Sequence, residues 1–102
     1  MSFGNVMKQA QKMQAKMAEM QEQLKDEILE ASAGGGTVKV TITGDLVVKS
    51  ITIDPSAVDP DDVELLQDMT TAAVNEALRS AQELAQRRMA EITGGMNIPG
   101  LM

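Results

Sequence analysis

Hydrophobic positions along the first third of the chain follow a helical period. Met7, Ala10, Met13, Met17, Met20, Leu24 and Ile28 recur at steps of three and four, with no Gly or Pro between them. That spacing predicts an amphipathic helix over residues 3–30. At about 1.5 Å per residue such a helix is about 40 Å long, against about 26 Å for twice the radius of gyration of a compact chain of this size. It must therefore project from the body or lie against a second chain.

The period changes further on. Ile28 to Ala33 can extend into a short strand, and Gly34-Gly35-Gly36 then breaks the element as a flexible hinge or a tight reversal. From Thr37 to Thr43 the alternation is two-fold, with Val38, Val40 and Ile42 on one face and Thr37, Lys39, Thr41 and Thr43 on the other. This is the pattern of a half-buried strand. Gly44-Asp45 offers a two-residue hairpin loop with Gly first, as a type II′ turn requires, and Leu46 to Ile53 returns. That register sets Val47, Lys49 and Ile51 opposite Ile42, Val40 and Val38. Lys49 on an otherwise apolar face either snorkels along the sheet edge or is turned outward by a bulge.

Asp54-Pro55 ends the strand. Asp59 as N-cap, Pro60 at the first helical position and the following acids predict a second helix over residues 59–92. Its inward positions are Val63, Leu66, Met69, Ala73, Ala77, Leu84 and Met89, with Gly94-Gly95 as the stop. Residues 93–102 read as a short flexible tail. The predicted fold class is α+β: a long N-terminal helix, a small antiparallel sheet of two to three strands over residues 31–54, and a C-terminal helix, in one domain spanning residues 1–102.

Composition removes several kinds of chemistry. The 102 residues are 43% hydrophobic, enough for one small core that oligomerisation would supplement. One Phe and no Trp or Tyr leave no stacking platform for bases or sugars. The lack of Cys and His excludes disulfides, thiol nucleophiles, zinc-finger sites and the usual general base near neutral pH. With no nucleophile placed beside a base, the sequence points away from an enzyme. The Gly triplet runs into a strand and lacks the following Lys, so it is no phosphate-binding P-loop. Residues 59–62 lack the central Gly and closing Glu of a calcium loop, so capping is favoured over metal binding. Neither a metal nor a cofactor is expected. No apolar run approaches a membrane span or resembles a signal peptide, and a cytoplasmic protein is expected.

Charge adds one more feature. The net charge is −6, which argues against a uniformly basic nucleic-acid binder. Yet Lys8, Lys12 and Lys16 are the only ionised side chains from Met1 to Ala18, on one helical stripe, whereas Glu19 to Glu30 holds five acids against Lys25. This order opposes the helix dipole, so local helix stability does not account for it. It fits a solvated face, an antiparallel partner helix, or a phosphate-contacting stripe on a projecting arm. The Met row reads chiefly as a packed seam, and alternatively as a groove for a partner peptide. Arg87 and Arg88 suit the dipole at the end of the second helix; Arg79 lies mid-helix.

The opening residues Gly4 to Gln14, the middle Val38 to Gly44, the turn Ile53-Asp54-Pro55 and the closing Gly95-Met96-Asn97-Ile98-Pro99-Gly100 together resemble the bacterial YbaB/EbfC family of nucleoid-associated proteins. The resemblance covers nearly the whole chain and rests on the joint order of these segments. It implies a helix–sheet–helix protomer that dimerises through the sheet region and projects its helices like tweezers. It also implies non-enzymatic binding of double-stranded DNA in the nucleoid, with no small-molecule substrate. Basic residues on the helical arms would make the contacts, which maps onto Lys8, Lys12 and Lys16, and onto Arg79, Arg87 and Arg88. The sequence departs from the family pattern at Arg79, where Ser80 stands in place of a second adjacent basic residue. The alternative reading is a homodimeric scaffold or chaperone-like module using the Met-rich helix surface.

Overall fold

The helical period of the N-terminal segment gives way to strand pairing earlier than expected. In the computed structural model, which describes residues 3–95, helix α1 covers Phe3–Asp26 and strand β1 covers Ile28–Ala33. The expected helix over 3–30 is thus shortened. Glu27 N–H closes the last turn on Leu24 O at 3.2 Å, and every residue of β1 then pairs with β2 (Val38–Thr43), from Ile28 opposite Thr43 to Ala33 opposite Val38. Six ladder positions outweigh one more helical turn. Ile28 leaves the helical seam and stands 59% exposed on the uncovered sheet face.

Gly34, Gly35 and Gly36 form the tight reversal between β1 and β2, all at positive φ (65°, 69° and 93°). Only glycine adopts such a run without steric cost. Strand β3 (Val48–Ile53) pairs antiparallel with β2, completing a three-stranded sheet in the order β1-β2-β3.

The β2–β3 loop differs from the expected two-residue turn. Thr43 N–H donates to Val47 O at 2.9 Å and Leu46 N–H to Thr43 O at 3.0 Å, so the loop is Gly44-Asp45-Leu46. Its left-handed residue is Leu46 (φ 70°), not Gly44. This is the three-residue hairpin, a turn followed by an αL residue. A bulge follows, and the pairs become Ile42 with Val48, Val40 with Ile51 and Val38 with Ile53. Lys49 is the extra residue, and its removal from the alternation returns Ile51 to the apolar face. Gly44 is needed for proximity instead of conformation: a Cβ there would lie 2.7 Å from Leu24 O.

Helix α2 (Val63–Gly95) lies across the apolar face of the sheet, chiefly on β1 and β2. Ala73, Ala77 and Ala81, one stripe at steps of four, are fully buried against Val38, Val40 and Ile42. Their small side chains bring the helix backbone close to the sheet, and Leu66, Met69, Val74 and Leu78 close the sides. Val63, expected inward, is 51% exposed.

The entry to α2 also departs from expectation. Asp54 caps a short 3-10 turn (Pro55–Ala57) by accepting from Ser56 N–H at 3.0 Å and Ser56 Oγ–H at 2.8 Å. These bonds, the backbone one first, hold its carboxyl below the ordinary range. Asp59 makes an Asx turn with Asp61 N–H at 2.9 Å, while Asp62, not Asp59, caps α2 by accepting from Leu65 N–H at 3.2 Å. Asp62→Ala should therefore cost about 0.5–2 kcal/mol, and Asp59→Ala less, in urea unfolding at fixed protein concentration. At its other end α2 runs through Gly94 to Gly95 instead of stopping at residue 92, so residues 93–95 of the expected flexible tail are helical; residues 96–102, with most of the closing family motif, lie outside the described residues.

Candidate nucleic-acid interface

Beyond the sheet the two helices run side by side. Leu24 shares a groove with Gln82, Ala85 and Gln86, whereas Met20 and Lys16 share one with Arg88, Glu91 and Ile92. Residue numbers fall along α1 as they rise along α2, so the pair is antiparallel. Met20 and Leu24 are buried in this contact and Met13 and Met17 are half-buried, which makes the inner part of the Met row a packed seam. Farther out the cover ends: Phe3 is 80%, Val6 44% and Met7 47% exposed. The α1 tip projects past the described end of α2. The radius of gyration is accordingly 19.7 Å, against about 13 Å for a compact chain of this length.

On this arm Lys8, Lys12 and Lys16 are all exposed. Successive lysines rise by about 6 Å along the axis. Among the described residues none of them forms a salt bridge, and the first turn of α1 carries no acid. Lys25, by contrast, is paired with Glu22 at 3.1 Å. The unpaired lysines lie on the projecting half of α1, apart from the acids of residues 19–30, so positive charge gathers on the arm and not on the acidic body.

The arginines of α2 have three different surroundings. Arg79 lies over the sheet, clamped by Glu76 and Glu83 on its own helix. The hydrogen bond to Glu76 is the main cause raising its pKa above the ordinary value, and the same bond lowers that of Glu76. Its charge is locally neutralised. Arg87 is exposed, without an ion pair among the described residues. Arg88 bonds to Glu27 at 2.6 Å, across 61 residues of sequence.

The fold therefore brings Lys16 and Arg88 into one groove, sets Lys12 and Lys8 farther out on the same arm, and leaves Arg79 apart. Glu27 was not distinguishable in sequence from the other acids of its segment, because its partner lies on another element. Among the described residues no cluster of metal-ligating side chains occurs, and no helix is long and apolar enough to cross a membrane.

Comparison with known proteins agrees with this architecture. A nucleoid-associated protein of Acetivibrio thermocellus is 56% identical over 98% of this chain and 89% of its own length. One of Moorella thermoacetica is 56% identical over 98% of this chain and 99% of its own. A solved structure of an uncharacterized protein from Helicobacter pylori shares the fold, with a TM-score of 0.81 at 24% identity over 91% of this chain and 98% of that one. The YbaB/EbfC DNA-binding family model matches residues 1–96, and the chain belongs to that family.

Proposed function

We propose that the protein binds duplex DNA as a homodimer, mainly through backbone phosphates, and organises the cytoplasmic nucleoid with an indirect influence on transcription. The observation that carries this reading is the unpaired lysine stripe on a projecting arm. Neutralising phosphates there releases counterions, and phosphate contacts carry no sequence information of their own. Sequence preference is accordingly weak.

Dimerisation is supported by the sheet. Strand β3 is an edge whose apolar face α2 leaves largely uncovered: Val48 is 40% and Ile51 44% exposed, next to Leu46 at 44% and Val47 at 49%. A contiguous apolar edge of this kind favours burial against another chain. Two arms then present six lysines.

If all six engage B-DNA, log affinity falls against log salt with a slope of about −5. Ile51→Glu should split the dimer in sedimentation and halve that slope. A parent protein that binds no duplex at low salt would sink the DNA reading, and an Ile51→Glu protein that remains dimeric would sink the β3 interface.

A further inference from the structure

We propose that Arg88 is a positioning residue: its ion pair with Glu27 sets the direction in which the α1 arm leaves the sheet, and Arg88 does not itself hold phosphate. The inference rests on the DNA-binding reading and replaces the role that family analogy suggests for this arginine.

Three observations carry it. First, Arg88–Glu27 joins separate elements, whereas the pairs made by Arg79 and Lys25 lie within one helix. Its side chains are 34% and 40% exposed, more covered than those of the helix-local pairs. Second, Glu27 is the single residue between α1 and β1. Its N–H bonds to Leu24 O at 3.2 Å and its C=O accepts Gly44 N–H at 3.0 Å. Main chain and side chain together tie this joint to α1, the β2–β3 loop and α2. Third, the joint lies at the base of a lever. Lys8 stands about 28 Å along the helix from Glu27, so a tilt of about 10° moves it by about 5 Å, enough to lose a phosphate contact. An Arg88 turned toward DNA would abandon Glu27 and leave its half-covered carboxylate without a partner.

The test compares Glu27→Gln, Arg88→Gln and the exchanged pair Glu27→Arg/Arg88→Glu. The chain has no cysteine, so spin labels at Gln11→Cys and Ser32→Cys report the arm-to-sheet distance when labelled protein is diluted with unlabelled. Either single change should broaden that distance and weaken duplex binding by roughly two- to fivefold, with the same salt slope in Glu27→Gln as in Arg88→Gln. The exchanged pair should restore both.

The proposal is overturned if Arg88→Gln lowers the salt slope by about 2 per dimer more than Glu27→Gln does, as loss of a phosphate held by Arg88 itself on each arm would. It is equally overturned if Glu27→Gln leaves the distance unchanged, or if the exchanged pair fails to restore it. The distance measurement needs no DNA. If the parent binds none, the functional reading fails separately while the labels still decide whether this pair aims the arm.

Discussion

Changing Lys8, Lys12 and Lys16 together to Glu is expected to reduce duplex affinity by about two orders of magnitude or more near 0.1 M salt. At that salt the six phosphate contacts of the proposed dimer would contribute a factor of about 10⁵ relative to 1 M, and reversal would add repulsion to their loss. The salt slope should fall toward zero. The protein should nevertheless stay folded, because all three side chains are exposed and unpaired among the described residues. Sizing and circular dichroism of the variant separate lost contact from lost structure. An intact dimer with undiminished affinity would move the interface away from the arm and favour a protein-interaction role for the Met-bearing helix.

The largest loss of stability is expected from Ile42→Ala. Ile42 is fully buried where α2 crosses the sheet and is among the largest wholly buried side chains. Such a truncation typically costs about 2–5 kcal/mol, a large share of the roughly 5–15 kcal/mol that stabilises a domain of this kind. Urea unfolding should show a strongly lowered midpoint, read at one protein concentration because the proposed dimer would add to stability as concentration rises. Ile28→Ala, at an exposed site on the other face, should stay within about 0.5 kcal/mol of the parent. Equal losses at both positions would contradict the observed register.

These two isoleucines also show what the sequence made legible. Val38, Val40 and Ile42 alternate within a run bounded by glycines, so both strand and inward face could be read locally. Ile28 satisfied the helical period and the strand equally well, and β2, which pairs with it, decided between them. Lys49 conflicted with the simplest hairpin register. The conflict was visible, and the αL residue Leu46 with the bulge resolved it in favour of the outward option. At the α2 entrance Asp59 and Asp62 are both good caps by chemistry, and backbone geometry selected Asp62.

The candidate site divides along the same line. The lysine stripe is a local pattern and was legible as such. What Arg79 and Arg88 face was not, because Arg79 depends on the rotamers of two nearby acids and Arg88 on an acid 61 residues away.

The bulge at Lys49 has a further consequence for assembly. A flat, apolar, unpaired edge is a template for open-ended strand addition, the geometry of fibres. The extra residue bends and twists β3 and sets a charged side chain within that ribbon. Successive copies then cannot stack in uniform register along the edge. The irregularity that preserves the apolar face of β3 thus also guards the chain against filament formation.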